Sequence, residues 1–231
     1  MFYYYMDPTY ILVLIGVVIC MAASSKMNRT FQKYSRVRSH NGMTGREAAE
    51  RILHSQGIYD VRVEHVSGNL TDHYDPRTKR LALSQDVYGR TSVAAVCVAA
   101  HECGHAIQHN INYAPLNIRS AIVPVANIGS SLSWPIFLLG LIFSIPALTT
   151  VGIVLFSLAV LFQLVTLPVE FNASSRALKM LESTGILSHE ENKGAKKVLT
   201  AAALTYVAAL ASSILQLLRL LILSGGRRRD D

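Results

Sequence analysis

Cysteine is scarce in this chain of 231 residues: there are three, Cys20, Cys97 and Cys103. An odd number makes no even disulfide framework, and two of the three fall inside apolar runs. That excludes a disulfide-stapled scaffold and fits a reducing compartment. Charge is also sparse, at 16% of residues, and from residue 120 to residue 169 there is no Asp, Glu, Lys or Arg at all. A soluble domain does not gather its apolar residues into charge-free blocks of that length, so the chain reads as a membrane protein. Acidic residues are outnumbered, 15 against 22 Lys and Arg, for a net charge of +7. The excess collects beside apolar blocks, at Lys26, Arg29, Lys33, Arg36 and Arg38 and again at Arg227 to Arg229. Basic residues in those places point to lipid headgroups and away from nucleic acid.

What the chain does hold is His101-Glu102-Cys103-Gly104-His105, at the end of the apolar stretch Val93 to Ala100, and the two together read as one helix. Imidazoles four residues apart lie about one turn apart on one helix face. That suits two adjacent corners of a tetrahedral metal ion, and zinc fits the spacing best. Glu102 can project beside an open coordination position, where a carboxylate takes a proton from water; it is the candidate general base. The bland alternative is a pair of histidines on a solvated face. The stretch before the motif argues against it, because a helix that apolar is buried, and Gly104 allows a neighbour to pack close. Cys103 points to the other side of the helix and is expected in the core, not on the metal.

Taken in order, the chain opens with the aromatic cluster Phe2 to Tyr5 and a first apolar span, Tyr10 to Ala23. No positive n-region precedes the span, so it is an uncleaved anchor, and the basic residues after it put the N-terminus outside and the next domain in the cytoplasm. Residues 28 to 117 are soluble in character. Thr44 with Glu47 three residues on predicts a capped amphipathic helix. The alternation of Val61 to Val66 predicts a strand, Asp72 to Thr78 a turn, and Arg80 to Ser84 a second strand, making a small sheet ahead of the motif helix. Leu81 to Leu83 is expected to hold an extended substrate by main-chain hydrogen bonds.

The charge-free block is long enough to cross a bilayer twice at about 1.5 Å per residue. Crossings are expected at Trp134 to Ala147 and Val151 to Leu167, with the reversal at Pro146 and Thr149-Thr150. The second crossing returns the chain to the side of His101 and His105. Glu170 opens a new helix there, after Pro168, and is the candidate third ligand, leaving a fourth position for water. His109, a further turn along the motif helix, is its rival, although one straight helix does not easily wrap three ligands around one ion. Val198 to Leu218 is uncharged and long enough to span, but a fourth span would leave Arg227 to Arg229 outside, against the positive-inside tendency. Gln216 and Arg219 also weaken the case for simple lipid burial. Three spans are therefore expected and a fourth is open. The divisions are an anchor (1–25), a catalytic domain (26–117), a helical hairpin (118–168) and the glutamate helix with a C-terminal apolar helix (169–231).

Three segments together resemble the YugP-type neutral zinc metallopeptidases of prokaryotic membranes: Leu70-Thr71-Asp72-His73-Tyr74-Asp75-Pro76-Arg77, His101 to His109, and Leu164-Val165-Thr166-Leu167-Pro168-Val169-Glu170-Phe171. The resemblance covers nearly the whole chain and extends more distantly to the HtpX and Ste24 membrane peptidases. It implies a mainly α membrane protein with a zincin-like domain, a small sheet before the zinc helix and three to four transmembrane helices. It further implies a gluzincin-type endopeptidase of the prokaryotic cell membrane, holding one zinc ion per chain on His101, His105 and Glu170, with Glu102 as base. The distant relatives usually carry an aspartate four residues after the glutamate, orienting a zinc histidine. Here that place is Ser174, with Asn172 as the other candidate acceptor. Tyr206, polar on an apolar helix, is the candidate oxyanion donor, alongside Tyr113 and His189. The expected partners are protein or peptide substrates at the membrane surface and the lipid bilayer. Two alternatives remain: an intramembrane zinc protease, with the motif inside a span, and a non-enzymatic scaffold with a structural zinc, which would need four closed ligands.

Overall fold

The computed structural model describes residues 7–226; the Phe2 to Tyr5 cluster and Arg227 to Arg229 lie outside the described residues. In chain order the elements are α1 (Tyr10–Ser35), α2 (Gly45–Ser55), β1 (Arg62–Val66), β2 (His73–Asp75), β3 (Arg80–Ser84), α3 (Val93–Asn110), α4 (Ala114–Ile142), α5 (Pro146–Ser183) and α6 (His189–Gly226). They form two compact units. One comprises residues 25–117 and 168–204, the other residues 7–24, 118–167 and 205–226. One boundary between them falls within α6.

The first unit is built around α3. Ser92 caps it, its hydroxyl accepting from the amide of Ala95, and Val93 to Cys97 are fully buried. Helix α2 starts as its sequence predicts. The Thr44 hydroxyl accepts from the Glu47 amide at 3.2 Å and the Glu47 carboxylate accepts from the Thr44 amide at 2.8 Å, so two otherwise orphaned N–H groups are satisfied. Its apolar stripe, Ala48, Ala49, Ile52 and Leu53, lies in the same core as α3.

The sheet differs from expectation in two ways. First, His73 to Asp75, expected as turn, is the strand β2, antiparallel to β3. Three residues are too few for alternation to show, and the turn is confined to the residues after Asp75, whose carboxylate accepts from the Arg77 amide and the Thr78 hydroxyl. Second, Leu81 to Leu83 cannot hold a substrate by its main chain. The strand order is β1-β3-β2, so β3 is central, parallel to β1 and antiparallel to β2, and its Leu81, Ala82 and Leu83 are 0% exposed. Its backbone groups are already used on both sides; only β1 and β2 offer an edge. Asp72 closes the sheet by accepting from the amide and hydroxyl of Ser84. Burial raises its carboxyl above the ordinary value even against those two donors.

Among the described residues, four helices are long and apolar enough to cross a membrane by length and composition, α1, α4, α5 and α6, and each gives a part of its length to the second unit. The reversal between α4 and α5 falls at Phe143–Ile145, earlier than expected, with Ser144 at φ 55°. Pro146 is the first residue of α5, where its missing N–H costs nothing. Thr149 and Thr150 are helical, their hydroxyls donating to the Pro146 carbonyl at 2.8 and 3.0 Å. Pro168 does not start a new helix either: α5 runs through it to Ser183. One lost backbone bond does not break a helix held by packing along its length.

The fourth apolar segment packs along its neighbour α1. Gly16 lies so close to Ser212 that a Cβ would sit 2.6 Å from its hydroxyl, and the Cys20 thiol donates to the Ala208 carbonyl at 3.6 Å. Arg219 pairs with Asp7 at 3.3 Å and lies over the Tyr10 ring at 4.2 Å. Rising numbers on α1 meet falling numbers on α6, so the two run antiparallel along the first span. The charge of Arg219 is answered within the protein, not by lipid.

Candidate metal centre

Helix α3 carries His101 and His105, and the part of α5 that belongs to the same unit carries Glu170. Their ligand atoms lie within 4.8 Å of one another, and among the described residues this is the group of three or more His, Cys, Asp and Glu that could hold a metal ion. His101 Nε2 is 3.3 Å and His105 Nε2 3.7 Å from Glu170 Oε2. A tetrahedral zinc with bonds of about 2.0–2.1 Å separates its ligand atoms by roughly 3.3 Å, so the donor set fits zinc in both chemistry and span. The group is sheltered: Glu170 is 3% and His105 8% exposed.

A glycine sets this spacing. A Cβ on Gly104 would lie 2.5 Å from the Ala173 carbonyl oxygen, which is main chain and cannot swing away. The absence of a side chain between the two histidines lets α3 press against α5, and Glu170 stands one turn before Ala173. Around the contact Val169, Ala173 and Ala177 are 0% exposed.

The second nitrogen of each imidazole is also engaged. His101 Nδ1 lies 3.2 Å from the Ser174 hydroxyl, the position where the distant relatives have aspartate. His105 Nδ1 lies 3.0 Å from Gln108 Oε1. Gln108 is 0% exposed, and its amide nitrogen donates to the Val169 carbonyl at 2.9 Å and to Asn172 Oδ1 at 3.0 Å. Both of its N–H groups are therefore committed to oxygens, so its own oxygen must face His105 and accept from Nδ1–H. With the Nδ1 proton held there, Nε2 is the nitrogen that would offer its lone pair to an ion shared with Glu170, the tautomer a metal ligand needs. Asn172 accordingly accepts no histidine proton directly. It reaches His105 through Gln108, and also accepts from Arg176 Nε at 2.7 Å.

Glu102 is 8% exposed and lies outside the group of three; burial works against charging His105, but the Glu170 hydrogen bond and then the nearby Glu102 charge outweigh it and hold the imidazole above its ordinary value. His109, the rival ligand, is occupied elsewhere: its Nδ1 is 2.9 Å from the Tyr74 hydroxyl. The Tyr74 phenol is pushed up to about 12, by burial first and then by Asp60 and Asp75, so it stays protonated. Cys103 is in the core, its thiol donating to the Ala49 carbonyl at 3.6 Å, and burial raises it well above the ordinary value. Tyr113 stacks under the Arg176 guanidinium, His189 pairs with Glu182 at 3.7 Å on the surface, and Tyr206 is 39% exposed on the part of α6 that belongs to the membrane unit. Sequence reasoning missed Gln108 and Tyr74. Gln108 carried a usable signal, a polar residue three positions past His105 on a helix otherwise apolar there.

Comparison with known proteins reaches the same chemistry from another direction. The sequence pattern of a family described as "Putative neutral zinc metallopeptidase" matches residues 9–225. The chain is 49% identical over 201 residues to a protein of Bacillus subtilis (strain 168) named "Putative membrane protease YugP", covering 87% of this chain and 89% of that one. No solved structure matches. Because the match runs through both units, and because two imidazoles and a carboxylate stand at zinc spacing where they meet its expected chemistry, this chain belongs to the neutral zinc metallopeptidases of membranes.

Proposed function

We propose that this chain is a zinc endopeptidase that cuts protein or peptide substrates at the cytoplasmic face of a prokaryotic cell membrane. The observation that carries the reading is the convergence of His101, His105 and Glu170 at tetrahedral spacing with Glu102 beside the first ligand. The three would hold the ion. When bound, zinc supplies a Lewis acid that polarises the scissile carbonyl and lowers the pKa of water to about 7. Glu102 accepts the proton of the attacking water and returns it to the leaving amine. Gln108 and Ser174 hold the imidazoles in place. Since β3 is central, the edge proposed for an extended substrate is β2, which the Tyr74–His109 hydrogen bond joins to the far end of α3.

An oxyanion donor completes such machinery. Tyr206 is the candidate read from the sequence, and Tyr74 is a second hydroxyl supplied by the fold. Tyr206→Phe and Tyr74→Phe separate them: loss of the donor lowers kcat by about 10²–10³ and leaves zinc bound.

Helix α3 is not among the four candidate spans, which supports a site outside the bilayer core and not an intramembrane protease. The cytoplasmic orientation rests on the basic residues that follow the first span. The deciding experiment measures zinc content and hydrolysis of an unfolded protein in detergent. Wild type is expected to bind one zinc and cut. Glu102→Gln should keep zinc and lose at least about 10²-fold in rate, and Glu170→Ala should lose zinc. Full activity in Glu102→Gln would overturn the mechanism, and retained function without hydrolysis would favour the scaffold.

A further inference from the structure

The candidate zinc site leaves unused a cluster of six basic side chains among the described residues. Within the unit that holds the site, a groove of about 700 Å³ is lined by Lys26, Arg29 and Lys33 of α1 and by Lys193, Lys196 and Lys197 of α6. On α1 these cations fall at spacings of three and four, and on α6 at three and one, so each helix turns one basic face toward the same space. The helices meet at Gly194, where a Cβ would lie 2.6 Å from the Tyr34 ring. Among the described residues, the carboxylate paired with any of these six is Glu190, on Lys193 at 2.7 Å, and its side chain is 79% exposed. Like charges crowded about one groove repel unless an anion enters it.

The position of the groove along the two helices identifies the anion. Lys26 follows the apolar run Tyr10 to Ala23 within the same unbroken helix, and Lys197 directly precedes the uncharged run Val198 to Leu218. Both helices run on from the groove into stretches long and apolar enough to cross a membrane, which would set the cations at the level of the lipid phosphates. Thr30, Thr200 and Ala201 complete the lining with hydroxyls and a methyl. A ligand with a phosphodiester and attached acyl chains meets the cations with its head and the bilayer with its tails. We propose that this groove is a binding site for the headgroup of an anionic phospholipid, with Lys196 and Lys197 as principal phosphate contacts.

The test uses the full chain purified in detergent, titrated with phosphatidylglycerol and, separately, with phosphatidylcholine. Bound lipid is counted by native mass spectrometry. Wild type is expected to retain phosphatidylglycerol and not phosphatidylcholine, and K196Q/K197Q to bind it roughly 30-fold more weakly, from about one charge's worth of attraction lost at each position. K196R/K197R, which keeps the charge, should retain it, and that separates lost binding from lost folding. R62Q/R77Q removes the same charge from the sheet region and should bind as wild type does. Equal retention by K196Q/K197Q, or equal loss in R62Q/R77Q, would overturn the site. Displacement by millimolar inorganic phosphate would show that a free phosphate suffices and overturn the lipid assignment; displacement by poly-glutamate would do so in favour of an acidic peptide.

Discussion

Both units contain a glycine pressed against a neighbouring helix, and the consequence differs between them. In the unit of the metal centre, Gly104 sits among side chains that water has already been driven from, and its contact with Ala173 fixes how near the histidines come to Glu170. In the membrane unit, Gly152 lies where a Cβ would be 2.7 Å from Phe137 Cβ, yet large apolar side chains beside it on α5 stay on the surface, Val151 at 46% and Val154 at 54% exposure. Lipid tails are as apolar as those side chains, so burial drives little association there, and close helix contact with a few polar clasps such as Asp7–Arg219 does the holding. One glycine sets a coordination distance; the other sets only a helix contact.

The comparison breaks most visibly at Gly104. Gly104→Ala is expected to destabilise the unit of the candidate metal centre by about 1–3 kcal/mol and to lose zinc at concentrations that saturate wild type, measured by metal content and by denaturant titration. Normal zinc binding would mean the helix contact does not set the site. Next comes Gln108→Leu, which leaves the Val169 carbonyl and His105 Nδ1–H without their partner. Competition against a chelator should show zinc affinity reduced about 10–100-fold; an unchanged affinity would remove Gln108 from the argument. Gly152→Ala sharpens the contrast from the other side. It should weaken the membrane helices by about 1–3 kcal/mol in thermal unfolding while zinc content stays at the wild-type level. The smallest effect belongs to Cys103→Ala, expected to cost about 1 kcal/mol of stability with zinc binding intact, because its thiol faces Ala49 and not the metal.

Much of this was legible in the residues. The periodicity of His101 and His105, the capping box at Thr44 and the lengths of the apolar runs are local properties, readable wherever the chain happens to go. The sheet was legible only in part. Val61 to Val66 announces a strand by alternation and Arg80 to Ser84 by a short apolar run after turn residues, whereas His73 to Asp75 is a strand because β3 is there to pair with it, and nothing in three residues says which strand will be central. The same limit explains the fourth apolar segment. Arg219 argued against a span as long as its partner was unknown, and Asp7 lies more than two hundred residues away in sequence.

By itself, then, the sequence determined the chemistry: two imidazoles at a helical spacing, a carboxylate beside the first, and apolar blocks that demand a membrane. Only the tertiary structure decided the distances and the tautomer. Glu170 reaches zinc spacing because Gly104 lets two helix backbones touch, and His105 offers the correct nitrogen because Gln108 has committed both of its own hydrogens to oxygens on the facing helix. Those are contacts between residues some sixty positions apart, and a hydrogen bond depends on where its partner stands, which local sequence does not encode.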